Sequence, residues 1–105
     1  MLRSVDFRRI YEQGFRVSCS YFAAFCVHRK DSGAAGPKVG FTVPRALGGA
    51  VVRNRIRRRV REAVRRQLGD LGPGWEIVFN PRRSVLTAPA AGLEREVKRL
   101  IERCK

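Results

Sequence analysis

Lysine, acid, histidine and cysteine are all scarce in this chain of 105 residues. Nine acidic residues stand against 23 basic ones, a formal net charge of +14. Only Lys30, Lys38, Lys98 and Lys105 are lysines, so the other nineteen basic residues are arginines. No acid–base pair and no carboxylate cluster for a cation is visible, so the polypeptide shows no catalytic centre of its own. His28 is the single histidine, and Cys19, Cys26 and Cys104 are the three cysteines. Their number is odd and no pair has Cys-x-x-Cys spacing, which argues against a disulfide framework or a compact metal site. They read as small buried residues or free thiols in a reducing cytosol. No apolar run approaches the roughly 20 residues of a membrane span. Met1 to Gln13 is polar and helical in pattern, unlike a signal peptide. The expected protein is soluble, cytoplasmic and without a membrane partner.

What is present is arginine, and it is concentrated. Residues 48–67 contain Arg53, Arg55, Arg57, Arg58, Arg59, Arg61, Arg65 and Arg66, with Glu62 as the only acid. Between them Val52, Ile56, Val60, Ala63, Val64 and Leu68 recur at the spacing of one helix face. Gly48 and Gly49 free the backbone to enter this helix. On a wheel of about 100° per residue, Arg57, Arg61, Asn54, Arg65, Arg58, Arg55, Arg66 and Arg59 cover the polar circumference. Arg53 falls inside the apolar sector, between Val60 and Val64. Two readings stand open: an irregular first turn, or Arg53 crossing the end of the sheet to a specific partner. A solubilising helix mixes signs to gain i,i+4 pairs, whereas like charges at that spacing repel. A face this one-sided is matched to a polyanion.

The rest of the chain reads as one domain over 1–105. Ser4, with Asp6 in the first turn, opens a short helix carrying Phe7, Ile10 and Tyr11, and Gly14 suits its exit. Phe7 and Tyr11 share a face; core packing is the commoner fate of such rings, but Ile10 and Val5 are available for the core instead. Arg16 to Arg29 reads as extended chain. Tyr21, Ala23, Phe25 and Val27 alternate with Phe22, Ala24, Cys26 and His28, so both faces are apolar and the strand should be central. His28, at its end, reads as a solvated residue. After a loop over Asp31 to Pro37, Lys38 to Val43 is a second strand, expected to form a hairpin with the first. Trp75 to Asn80 is another strand. Leu93, Val97, Leu100, Ile101 and Cys104 form the stripe of a last helix. The fold class is α+β: helices on a small mixed sheet, an α/β sandwich. No helix-turn-helix pair is evident, which favours RNA over DNA. Phe7, Tyr11 and Phe25 suit stacking on unpaired bases.

The run Ala50, Val51, Val52, Arg53, Asn54, Arg55, Ile56, Arg57, Arg58, Arg59, Val60, Arg61, Glu62 closely resembles the Arg-Asn-Arg helix of the bacterial ribonuclease P protein family. Asp6-Phe7, Tyr11 and Gly14 resemble that family's first helix, Lys38 to Val43 the strand before the motif, and Trp75 to Asn80 its last strand. The resemblance implies an α-β-β-β-α-β-α order with a left-handed βαβ crossover, ribosomal protein S5 domain 2-like. It implies a subunit that binds a catalytic RNA and precursor tRNA together, one protein per RNA. The RNA, with Mg²⁺ held by the RNA and none by the protein alone, removes the 5′ leader. Carried over by position, Arg53, Asn54, Arg55, Arg57, Arg58, Arg61 and Arg65 would contact the catalytic RNA, with Arg45 beside the motif and Arg66 extending the surface. Phe7, Tyr11, Phe25 and Ala23 would line the cleft for the single-stranded leader. Pro44, Arg45 and Ala46 depart from the family pattern, which is usually Ser-Lys-Lys or similar. The alternative function is a general RNA-binding or ribosome-assembly protein. An independent nuclease is a third reading.

Overall fold

Among the described residues four strands form one mixed sheet, β1 (Phe15–Ser18), β2 (Phe22–His28), β3 (Lys38–Phe41) and β4 (Trp75–Pro81), in the order β1-β2-β4-β3. This is a computed structural model, and it describes residues 10–28, 36–72 and 74–104. Two long helices, α1 (Ala50–Arg65) and α2 (Ala90–Arg103), pack on one side of the sheet. A helical turn at residues 10–13 lies on the other side. Ser4, Asp6 and Phe7, and most of the loop after β2, fall outside the described residues.

The expected element order holds, but the pairing of the strands differs. The extended stretch from Arg16 is two strands, not one. β1 turns back at Cys19–Tyr21 and runs antiparallel to β2, with Arg16 opposite Phe25 and Ser18 opposite Ala23. The turn is closed by Cys19 N–H donating to Phe22 O at 2.9 Å. The hairpin expected between β2 and β3 does not form. β4 lies between them, antiparallel to β2 and parallel to β3, with Ala23 opposite Asn80 and Phe41 opposite Phe79. The reason is the helix between β3 and β4: a crossover through α1 returns the chain parallel to β3. β4 then takes the slot beside β2, whose two apolar faces require a central position.

The alternation along β2 sorts the two sides as its pattern predicts. Phe22, Ala24 and Cys26 face the helices and join Ile77 and Phe79 of β4. Ile56, Val60, Ala63 and Val64 of α1 close this core with Leu93, Val97, Leu100 and Ile101 of α2. Phe25 and Val27 face the opposite way and pack with Val78 and Ile10.

Two glycines set the geometry. Gly14 ends the first helical turn, its N–H donating to Ile10 O at 2.8 Å. A Cβ there would lie 2.6 Å from both Ile10 O and Cys26 O, so only glycine lets the turn approach β2 this closely. Gly48, with φ of 143°, makes the left-handed bend into α1, where a side chain would also meet Val52.

Candidate nucleic-acid interface

α1 carries the arginine face. It is regular from its first turn, since Arg53 N–H donates to Gly49 O at 2.9 Å. The first reading of Arg53, an irregular turn, is thereby excluded. Arg53 lies half-buried, in keeping with its angle on the wheel. Its Nε is buried without a hydrogen-bond partner among the described residues. A buried charged donor left unpaired is costly, so the site favours an acceptor.

Asn54, Arg55, Arg58, Arg61 and Arg65 are exposed. Arg57 is half-buried and donates from Nη1 to Asn54 Oδ1 at 2.9 Å, which fixes the Asn54 amide at the head of the motif. Arg61 lies over the Phe41 ring, 6.0 Å from its centre. Arg65 is 3.5 Å from Glu62, with 73% of its side chain exposed, so this loose pair leaves the guanidinium accessible. Arg45 sits exposed in a short 3₁₀ turn, Arg45–Leu47, beside the start of α1. Arg83 braces that turn by donating to Leu47 O at 2.6 Å.

Two arginines of the run serve the fold. Arg59 donates from Nη1 to Val85 O and from Nη2 to Ala88 O, both at 2.5 Å. It thus clamps the segment that leads into α2. Arg66 pairs with Glu94 of α2 at 2.8 Å while keeping an exposed side chain. Gln67 adds a bond from Nε2 to Glu94 O at 2.7 Å. The surface expected of Arg66 is therefore shared with an internal ion pair.

The opposite side of the sheet holds the aromatic group. Tyr11 is 40% exposed, and its ring meets Phe25 edge-on at 4.7 Å with planes at 85°. Ala23 is buried beside them on the same strand face. Phe7 lies outside the described residues. Asn80, opposite Ala23, belongs to this cleft and was missed from sequence. Its Oδ1 accepts from Tyr11 Oη at 3.2 Å and from Thr42 Oγ1. Glu76, 2% exposed, lies two strand positions before Val78 on the same face. The available signal was an amide and a carboxylate at alternate positions of an otherwise apolar strand, Trp75 to Asn80. His28 is exposed at the end of β2, 5.0 Å from the Trp75 ring.

The thiols are free. Cys26 is pushed well above the usual thiol range, first by its hydrogen bond to Cys104 and then by burial. The same bond pulls Cys104 down. Among the described residues no group of three or more His, Cys, Asp and Glu side chains is placed to hold a metal ion. No helix among them is long and apolar enough to cross a membrane.

Fold and site together define a class: a small basic α+β protein with an arginine-covered helix on one face of a mixed sheet and a polar–aromatic cleft on the other. The chain belongs to the ribonuclease P protein family, whose family model, Ribonuclease P, matches residues 1–105. A ribonuclease P protein component from Acidothermus cellulolyticus is 39% identical over 101 residues, covering 96% of this chain and 83% of the relative. One from Roseiflexus castenholzii is 52% identical over 67 residues, 63% of this chain, and the match spans only 55% of that relative. The solved ribonuclease P protein of Thermotoga maritima superposes with a TM-score of 0.83 at 27% identity, over the full length of both chains. That of Staphylococcus aureus, at 23% identity and a TM-score of 0.80 over all of this chain and 94% of its own, shares the fold.

Proposed function

We propose that this chain is the protein subunit of a cytoplasmic ribonuclease P holoenzyme, one copy per catalytic RNA. In this reading α1 holds the catalytic RNA. Arg55, Arg58, Arg61 and Arg65, with Arg53 and Arg57 flanking, offer planar guanidinium forks to phosphates. Asn54, held by Arg57, presents its amide at a set angle, and Arg45 extends the surface past the helix start. The cleft of Tyr11, Phe25 and Ala23 takes the single-stranded 5′ leader of precursor tRNA by stacking unpaired bases, with Phe7 assigned to the same role by the family resemblance alone. Asn80, whose carbonyl oxygen is engaged by Tyr11 and Thr42, adds a polar group to that floor. Phosphodiester hydrolysis belongs to the RNA and its Mg²⁺; the protein positions the substrate and screens charge.

The observation that carries this reading is the placement of the Ala50–Glu62 run on one regular helix with Arg55, Arg58 and Arg61 exposed, on the side of the sheet opposite the rings. The test is reconstitution with a bacterial ribonuclease P RNA and precursor tRNA at low Mg²⁺. The protein should raise the rate at which mature 5′ ends appear. A rate no higher than that of RNA alone would remove this function and favour a general RNA-binding role. Leader removal by the protein without added RNA would point to an independent nuclease.

A further inference from the structure

A second apolar recess lies away from the leader cleft, on the helix side of the sheet. It runs between β3 and the C-terminal half of α1, encloses about 350 Å³, and is bounded by Lys38, Val39, Phe41, Arg61, Arg65 and Leu68. β3 is an edge strand, so the recess is open along one side. Phe41 forms its inner wall. One face of that ring is stacked on Phe79, with centroids 5.7 Å apart and planes 22° from parallel. Arg61 stands above the ring at 6.0 Å, a loose cation–π distance that does not close the space.

Three features specify an occupant. The volume falls in the range of sites that take one small organic group. The floor is apolar and aromatic, with Val39, Phe41 and Leu68 supplying surface for a flat ring. The rim carries three cations, Lys38, Arg61 and Arg65, and among the described residues no acid lines the recess. A flat apolar group joined to phosphates matches all three. Arg61 and Arg65 also belong to the exposed arginine face, so the recess continues the surface assigned above to RNA.

We propose that this recess captures a single unpaired nucleotide of the catalytic RNA. Its base stacks on Phe41 and covers Leu68, and its flanking phosphates are held by Arg61, Arg65 and Lys38. The inference rests on the subunit function proposed above and adds a base-recognition site to a helix otherwise matched to phosphates. An acidic peptide laid along the β3 edge is the competing occupant; it would use the same cations but would have no need of an aromatic wall.

The experiment uses the full chain reconstituted with a bacterial ribonuclease P RNA and precursor tRNA. Lys38 is exposed, and Lys38→p-benzoylphenylalanine places a photoreactive group at the rim while Arg61 and Arg65 remain to hold the phosphates. The expected result is a crosslink to one unpaired nucleotide of the catalytic RNA. Phe41→Leu keeps an apolar side chain against Phe79 and removes the ring. In the crosslinking protein it should reduce the yield about tenfold, the loss expected for one stacked base, with the thermal midpoint measured alongside to confirm folding. A crosslink only to paired stems or to precursor tRNA, a yield unmoved by Phe41→Leu, or no crosslink would overturn the proposal. So would loss of the crosslink to polyglutamate while the RNA stays bound, which would favour the acidic peptide. Stimulation of leader removal by the unchanged chain, read in the same preparation, reports separately on the subunit function. Stimulation without the expected crosslink sinks the recess alone, and the crosslink without stimulation sinks the subunit function alone.

Discussion

Tyr11 and Phe25 meet edge to face, 4.7 Å between ring centres, yet they play unequal parts in the fold. Tyr11 is 40% exposed. Phe25 is half-buried against Ile10 and Val78. Tyr11→Ala should therefore lower stability by about 1 kcal/mol or less, the worth of an exposed aromatic pair. Phe25→Ala should cost about 2–4 kcal/mol, near the values for partly filled core sites. Urea denaturation midpoints check this. Equal costs would mean that both rings are core and that the cleft is not a free surface.

Neighbouring arginines of α1 should separate stability from RNA binding. Arg59 gives both terminal nitrogens to Val85 and Ala88 carbonyls. Arg59→Ala should lower stability by about 1.5–3 kcal/mol, the range for hydrogen bonds to charged groups, and leave affinity for the catalytic RNA nearly unchanged. Arg58 is exposed. Arg58→Ala should move stability by about 0.5 kcal/mol or less and flatten the salt dependence of RNA binding by a slope of about 1. Equal effects of the two substitutions on RNA affinity would contradict this division.

Self-repulsion among 23 basic residues opposes compaction, and an anion on α1 relieves it. Sulfate should raise the thermal midpoint by several degrees beyond sodium chloride at equal ionic strength. Binding at one hundred times the dissociation constant contributes about 2.7 kcal/mol. A midpoint that responds only to ionic strength would show that α1 holds no anion site.

Thiol chemistry should report the core directly. Cys19 is half-exposed, whereas Cys26 and Cys104 are buried and hydrogen-bonded to each other. A maleimide should label Cys19 in the native protein and reach the other two only as the chain unfolds, followed by mass spectrometry of the digested product. Native labelling of Cys104 ahead of Cys19 would contradict the packing of α2 on β2.

The parts of this fold that depend on local periodicity were legible in the sequence. Ile56, Val60, Ala63 and Val64 recur at helical spacing, and the alternation along β2 sorted its two faces correctly. Strand pairing was not legible, because it is decided between distant residues. The turn at Cys19–Tyr21 contains no glycine or proline, so one extended run concealed two strands. Nothing near β3 showed that its neighbour would be β4. The arginine face was legible as charge, but the division of labour within it was not. Arg59 finds its acceptors 26 and 29 residues away. Likewise Asn80 joins the cleft through Tyr11, 69 residues away. The angle of Arg53 on the helix wheel places it in the apolar sector, and with the first turn regular its buried Nε favours an acceptor.

The central claim is that the two faces of the sheet hold different RNAs, with the cleft reserved for the leader. The most direct measurement is the affinity ratio between precursor tRNA and mature tRNA, taken with the reconstituted holoenzyme carrying Tyr11→Ala. The expected ratio falls about tenfold, the loss of one stacked base, while affinity for mature tRNA and for the catalytic RNA stays unchanged. An unchanged ratio, or equal weakening of both tRNAs, would contradict the claim.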